Sequence, residues 1–134
     1  FNRPESLNAF SLQMTKDLSS AIEKAVTDSA RAIVLTGAGR AFSSGGDLLG
    51  MIEMQKKGVL ISEPLKAMHR AIAQIRETPI PFIAAVNGVC AGAGTNFALA
   101  CDIVLQTKTR FLTKPLSKSA YRPIAAEVFF CRVW

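Results

Sequence analysis

The stretch from residue 82 to residue 96, FIAAVNGVCAGAGTN, constrains the fold of this chain more than any other part of its sequence. It opens with an apolar run of strand length, continues through an Asn-Gly pair typical of a turn, and then contains Gly92 and Gly94. These glycines permit close approach of two backbones, and residues 95–101 have a helical pattern. A buried strand that leads through small residues into a helix predicts an α/β chain.

The helix start in this stretch is a candidate anion or oxyanion site. Backbone N–H groups near Ala93 would lie at the helix N-terminus, where amides lack helical partners and the dipole is positive. A dinucleotide-binding fingerprint is not matched, because Phe97 stands where its third glycine is needed and Asp102 comes too early for its acidic residue. A P-loop needs Gly-Lys-Ser/Thr, and the stretch has no lysine. A tight turn without a ligand stays open as an alternative.

A second strand-to-helix unit of the same design lies earlier in the chain. The apolar run at residues 32–36 ends in a glycine turn, and AFSSGGDL follows at residues 41–48. Gly45 and Gly46 would again expose N–H groups at a helix start, with Asp47 as its N-cap. Two such donors facing one point would polarise a carbonyl and stabilise negative charge on its oxygen. One such donor contributes about 3 to 4 kcal/mol in enzymes where it has been removed.

Helical spacing predicts two further helices. The first begins after Ser11, a good N-cap, and ends near Asp28; the second begins near Ser62, with Pro64 in its first turn. Their apolar stripes are Met14, Leu18, Ile22, Ala25 and Val26 in the first helix, and Leu65, Met68, Ile72 and Ile75 in the second. Strands and helices therefore alternate from residue 32 to residue 105, which predicts α/β architecture with parallel strand pairing.

The cysteines and the single histidine do not indicate a metal site or a nucleophile. Cys90, Cys101 and Cys131 have no metal-ligand spacing, and reduced, buried thiols are the better interpretation. Such thiols favour the cytoplasm. His69 borders the apolar stripe of the second helix, and no serine or cysteine near it has a triad signature. A structural role is favoured for His69.

The glycine motifs together resemble a known family. AFSSGGDL and AAVNGVCAGAGTNFALACDIV are similar to motifs of the enoyl-CoA hydratase/isomerase, or crotonase, family, and the opening NRPESLNAF is similar to its first turn. The resemblance runs from Phe1 to about Phe111. It implies a partial crotonase-like core at residues 1–111, an α/β spiral of stacked ββα units that lacks its first strand and C-terminal helices. The full-length protein would be a homotrimer or hexamer.

The resemblance also implies the site residues. Carried over position by position, the two oxyanion-hole N–H groups fall on Gly46 and Ala93. Ser43, Ser44 and Gly45 would lie near the adenine of CoA. The substrate-binding set also includes Asp47 and Gly92. The acyl-CoA thioester is the substrate, so no cofactor is implied.

Asn96 bears on the reaction type. Hydratases of the family use two glutamates to activate water and move its proton, and Asn96 stands where one of them would be. An amide cannot act as a general base near neutral pH, although it can orient a ligand. Asn96 with the following ALACDIV resembles the branch of 1,2-epoxyphenylacetyl-CoA isomerase, whose working carboxylate lies in a PDxGG stretch. Asp102 begins a buried strand, and a capping or pairing role is favoured for it.

We therefore expect an acyl-CoA isomerase that stabilises a thioester enolate. Three alternatives stay open: an enoyl-CoA hydratase, other thioester chemistry such as hydrolysis or decarboxylation, and a non-catalytic acyl-CoA-binding domain or inactive fragment. The same oxyanion hole can serve several reactions.

The sequence changes character after Phe111. The segment LTKPLSKSAYRPIAAEVFFCRVW lacks the glycine turn and acidic position that the family would have here. Back-translation from about Pro115, read from the third base of each codon, permits AFVKVGLSPDSGGSFFLPRL, which resembles the family's sequence at this place. We predict a reading-frame break near Thr113 or Lys114 and an out-of-frame tail at residues 112–134. The chain as written would then lack its catalytic carboxylate and be inactive.

Charge and hydropathy argue against two classes of partner. The formal net charge is +6, of which residues 112–134 contribute +3, so half of it belongs to the predicted out-of-frame tail. Nucleic-acid binding needs clustered basic and aromatic residues and is not favoured. No apolar run is long enough for a membrane helix, and 49% hydrophobic residues suffice for one buried core in 134 residues.

Overall fold

Helices and strands alternate along the computed structural model of the chain, which describes residues 1–60, 62–106 and 128–130. A short 3-10 helix, Pro4–Ser6, comes first. The helices are α1 (Leu12–Thr27), α2 (Leu48–Lys56), α3 (Ser62–Glu77) and α4 (Ala93–Ala100). The strands are β1 (Ile33–Thr36), β2 (Ala41–Ser43), β3 (Phe82–Val86), β4 (Val89–Cys90), β5 (Ile103–Gln106) and β6 (Val128–Phe130). This order confirms the predicted α/β class.

The main sheet has the strand order β1-β3-β5-β6. The β1–β3 and β3–β5 pairs are parallel, as predicted, and β6 is antiparallel to β5. One row across the parallel strands, Leu35–Ala84–Val104, is buried, because paired residues of parallel strands point to the same face. The opposite face includes Val34, 58% exposed, and Leu105, 41% exposed. The described elements therefore cover only one face of this sheet.

Helices α1 and α3 pack against each other. Ser11 caps α1, as predicted, because its hydroxyl accepts a hydrogen bond from Met14 N at 3.1 Å. In the predicted apolar stripe of α3, Met68 and Ile75 are buried, but Leu65 is 44% exposed. The prediction was wrong at Leu65, because helical periodicity identifies a face and does not show how far along the helix its partner extends.

Four phenylalanines form the centre of the core: Phe10, Phe42, Phe82 and Phe97 are each at most 1% exposed. Burial of one such side chain stabilises a fold by about 1.5 to 3 kcal/mol. The rings of Phe10 and Phe97 are stacked with centroids 4.2 Å apart. This contact joins the start of the chain to α4.

A second, two-stranded sheet was not predicted. It pairs β2 with β4 in parallel, with Ala41 opposite Val89 and Ser43 opposite Cys90. Asn87 supports this region, since its side chain donates to Gly37 O at 2.8 Å and to Gly39 O at 2.9 Å. The small sheet places the two glycine motifs side by side.

Strand β6 lies inside the predicted out-of-frame tail, whose other residues are outside the described ones. The boundary at Phe111 and the frame break near Thr113 or Lys114 stay predictions. No helix in the described part of the chain is long and apolar enough to cross a bilayer.

Candidate active site

The backbone groups on both sides of the Gly46 N–H group make hydrogen bonds, whereas this N–H group makes none to a described residue. Phe10 N donates to Gly45 O at 2.7 Å, and Asp47 N donates to Phe10 O at 3.1 Å. These two bonds form a parallel bridge between Phe10 and Gly46. They hold the peptide units on both sides of Gly46, and its N–H group has no protein acceptor among these residues.

Asp47 caps α2, as predicted: its Oδ1 accepts a hydrogen bond from Gly50 N at 2.9 Å. The other carboxylate oxygen accepts from Arg3 Nη1 at 2.9 Å. The hydrogen bond from Gly50 N, assisted by Arg3, lowers the pKa of Asp47 from its ordinary value, against a raising effect of burial. The carboxylate is therefore charged near neutral pH and fixed at the start of α2.

The second candidate donor, Ala93 N, lies at the start of α4. Gly92 occupies the N-cap position with φ 51° and has no side chain to cap the helix. The amides of Gly94, Thr95 and Asn96 all have backbone acceptors, at 2.9, 3.1 and 3.4 Å respectively. In the part of the chain that the structure describes, Ala93 N has none.

The two donor segments are in direct contact. A Cβ at Gly45 would lie 3.3 Å from Ala93 N and 3.0 Å from Ala91 O, and Gly45 has φ 106°. A Cβ at Gly94 would lie 2.6 Å from Ser43 O. Glycine is therefore required at both places, at Gly45 by the backbone conformation and the contact, and at Gly94 by the contact alone.

Among the residues predicted to bind CoA, Ser43 and Gly45 are buried, whereas Gly92 is exposed and Ser44 half-buried. The Ser43 hydroxyl donates to Asn8 O at 2.8 Å and accepts from Gly45 N at 3.2 Å. Its side chain supports the first donor segment from inside the protein and presents no exposed surface. Contact with CoA stays a prediction for this set, and the exposed surface for it lies at Ser44 and Gly92.

Asn96 is exposed in the first turn of α4, three residues after Ala93. Its side chain makes no hydrogen bond to another described residue. The exposed side-chain amide is thus available to a ligand at the first turn of α4. It adds hydrogen-bonding capacity to the site and no carboxylate.

Other titratable residues have structural environments. Asp102 Oδ2 accepts a hydrogen bond from Phe82 N at 2.8 Å, in agreement with the pairing role predicted for it. Cys90 and Cys101 are free and buried as predicted, and burial raises the pKa of Cys90 to about 11 and that of Cys101 to about 12. His69, by contrast, is exposed on α3, so its surroundings do not support the structural role that the sequence favoured for it. Within the described residues no cluster of three or more potential ligands could hold a metal ion.

Sequence reasoning did not identify the residues that hold the first donor segment from the N-terminal side. Asn8 is fully buried, and its Nδ2 donates to Ala38 O at 2.9 Å and to Ala41 O at 2.7 Å. Arg3 joins Asp47 to Ala9 O. The sequence feature that could have identified these residues is the polar stretch NRPESLN, which ends two residues before the buried Phe10. Polar side chains that are buried with it need hydrogen-bond partners.

A surface groove lies away from the donors. Its volume is about 670 Å³, and it runs between α1 and the C-terminal end of α3, with Ile22, Val26 and Gln74 in its walls. It contains neither of the two free amides. Cavity size therefore does not identify the site of this chain.

The sequence model of the family described as enoyl-CoA hydratase/isomerase matches residues 1–124. The chain belongs to this family. The match extends past Phe111, where the resemblance in the sequence was expected to end.

Members of the family that resemble this chain include a probable enoyl-CoA hydratase of Rhodobacter capsulatus, 38% identical over 92% of this chain and 47% of its own length. The 1,2-epoxyphenylacetyl-CoA isomerase of Escherichia coli is 34% identical over 91% of this chain and 48% of its own length. The crystal structure of an enoyl-CoA hydratase from Bacillus anthracis superposes with a TM-score of 0.72 and 29% identity, covering 80% of this chain and 42% of that one.

These similarities confirm the predicted crotonase-like α/β fold and membership of an enzyme family. The chain spans about half the length of the curated family members it matches. The activity and partners of the whole protein are therefore matters for proposal.

Proposed function

We propose that this chain is part of an acyl-CoA isomerase of the enoyl-CoA hydratase/isomerase family. Gly46 N and Ala93 N would bind the thioester oxygen of an acyl-CoA substrate and stabilise the enolate formed from it. The observation that carries the proposal is the juxtaposition of two backbone segments, each with an N–H group that has no acceptor among the described residues. Preorganised donors aimed at a developing oxyanion are a main source of catalysis in acyl chemistry.

The reaction needs one proton-transferring group besides these donors. A carboxylate removes a proton from C2 of a 3-enoyl-CoA, and the electron pair moves into a dienolate whose oxygen is held by Gly46 N and Ala93 N. The same carboxylate then returns the proton to C4, which gives the 2-enoyl-CoA. The aspartate of the PDxGG stretch, present in the shifted reading frame, is the proposed shuttle.

Asn96 favours isomerisation over hydration. Hydration requires water to be held and deprotonated while a proton reaches the α-carbon, which takes two carboxylates in this family. Asn96 supplies an amide that is exposed beside the Ala93 donor. An amide can orient the thioester or the acyl group but cannot take a proton from water near neutral pH.

Hydration is the second candidate, because several similar members of the family carry the name probable enoyl-CoA hydratase. Under this alternative another carboxylate, outside the described residues, would activate the water. We place it second because the helix position beside the oxyanion donor holds Asn96.

A paired assay on the full-length, frame-restored protein distinguishes isomerisation from hydration. Isomerisation of a 3-enoyl-CoA is expected to be faster than addition of water to the corresponding 2-enoyl-CoA. Replacing the PDxGG aspartate with asparagine should abolish turnover and leave CoA binding intact. Asn96→Glu is the matched variant, because it adds a carboxylate at the same place and should raise hydration relative to isomerisation. Faster hydration than isomerisation in the unaltered protein would overturn the proposal.

A further inference from the structure

We infer that Arg3 is a positioning residue for the Gly46 donor and acts through Asp47. The inference rests on the proposed function of Gly46 N as an oxyanion donor. Arg3 lies far from Gly46 in the sequence and is joined to this segment by one hydrogen bond, from its Nη1 to Asp47; the same nitrogen also donates to Ala9 O.

A backbone bridge to Phe10 holds the segment around Gly46. The peptide units on either side of Gly46 are both hydrogen-bonded to Phe10, through Gly45 O and Asp47 N. The direction of the Gly46 N–H group therefore depends on where the Phe10 backbone lies relative to the start of α2.

Arg3 links the two sides of this bridge. Its Nη1 donates to Ala9 O at 2.8 Å and to Asp47 Oδ2 at 2.9 Å. One guanidinium nitrogen thus fixes the residue before Phe10 to the residue after Gly46. The Arg3 and Asp47 side chains are 33% and 17% exposed, so the pair is partly shielded from water, unlike a fully exposed ion pair.

The rate of a reaction that uses an oxyanion donor depends strongly on the position of that donor. Such a donor acts at 2.7 to 3.1 Å from the oxyanion, and a displacement of about 1 Å at a catalytic group can cost about a hundredfold in rate. Removal of Arg3 leaves the Phe10 bridge in place, so the expected displacement is smaller and the expected loss in kcat is about tenfold.

The charged groups around Arg3 allow a measurement that reports specifically on its link to Asp47. Arg3 faces Asp47 and, at 4.0 Å from its Nε, the exposed carboxylate of Glu5. Arg3 helps to lower the pKa of Asp47, while burial raises it. The largest cause of the lowered pKa of Asp47 is the hydrogen bond from Gly50 N, and Arg3 adds to it, so in Arg3→Met the pKa of Asp47 should rise, which an NMR titration of its carboxyl group measures. A role of Arg3 elsewhere in the fold would lower kcat without changing the pKa of Asp47.

The test compares Arg3→Met, Asp47→Asn and the double variant in the full-length, frame-restored protein. We expect kcat to fall about tenfold in Arg3→Met and the double variant to lose no more than the larger single loss, because the two residues act as one unit. Glu5→Gln is the control: it removes the exposed carboxylate beside Arg3 and should keep kcat within about twofold of the unaltered protein. Additive losses, or an unchanged pKa of Asp47 in Arg3→Met, would contradict the inference.

Amide hydrogen exchange provides a readout that does not need catalysis. Arg3→Met should speed exchange in residues 44–50 and leave residues 91–96 unchanged. If the unaltered protein turned over neither enoyl-CoA, the proposed function would fail while exchange would still report on Arg3. If exchange in residues 44–50 were the same with and without Arg3, the positioning role would be refuted whatever the activity.

Discussion

The two donor segments present the same chemical group but are built in different ways. The first, around Gly46, is held by side chains: the Ser43 hydroxyl bonds to Gly45 N, and Asp47 is joined to Gly50 N and Arg3. The second, around Ala93, has no side-chain cap and is held by backbone hydrogen bonds and by close packing. We therefore expect charge and pH to affect the first segment, and added volume to act where the two segments touch, at Gly45 and Gly94, rather than at Gly46.

The largest expected effect comes from removing the second donor. Ala93→Pro deletes one N–H group at the first position of α4, where proline is well tolerated. In the full-length, frame-restored protein kcat should fall by about a hundredfold or more, with little change in CoA affinity. Ala93→Gly is the matched control, because it keeps the N–H group. Normal turnover in a folded Ala93→Pro protein would show that Ala93 is not a donor.

Replacing one glycine with alanine in each segment compares how well the two segments tolerate added volume. Gly94→Ala would place its Cβ 2.6 Å from Ser43 O, a backbone atom, whereas Gly46→Ala would meet Met51 Cε, the end of a flexible side chain, at 3.2 Å. We expect Gly94→Ala to lower the free energy of unfolding by about 1 to 3 kcal/mol, as overpacking does. Gly46→Ala should cost less, and chemical denaturation measures both. Equal losses would remove the distinction between the two segments.

The smallest effect is the pH dependence of the first segment. The folded-state pKa of Asp47 is lowered below its ordinary value of 3.8. Its contribution to stability is thus fully present above the unfolded-state pKa and is lost as pH falls through the folded-state value. The thermal stabilities of the unaltered protein and of Asp47→Asn should therefore converge below about pH 4. A difference that is constant from pH 6 to pH 3 would contradict this assignment.

Much of the fold followed from local patterns. Ser11 and Asp28 flank α1 as predicted, because an N-cap and apolar periodicity are both properties of neighbouring residues. The apolar run Phe82–Val86 is β3, and Asp47 caps α2. The glycine motifs were placed at helix starts for the same reason.

The contacts between distant segments were harder to predict. Strands β2 and β4 are only 3 and 2 residues long, too short to show a periodic pattern. The burial of Ser43 was not predicted, because its environment depends on the distant residues Asn8 and Gly94. The link from Arg3 to Asp47 likewise joins residues whose proximity exists only in the folded chain.

The pairing of Ser43 with Cys90 has a consequence for the order of folding. The donors meet only after the chain between these residues, which includes α2, α3 and β3, has closed a long loop. Closing a loop of this size costs on the order of 3 kcal/mol in entropy before any contact compensates for it. Helices α1 and α3, by contrast, need only local contacts to begin. We therefore expect a refolding chain to gain helical signal before it gains the capacity to bind a thioester oxygen.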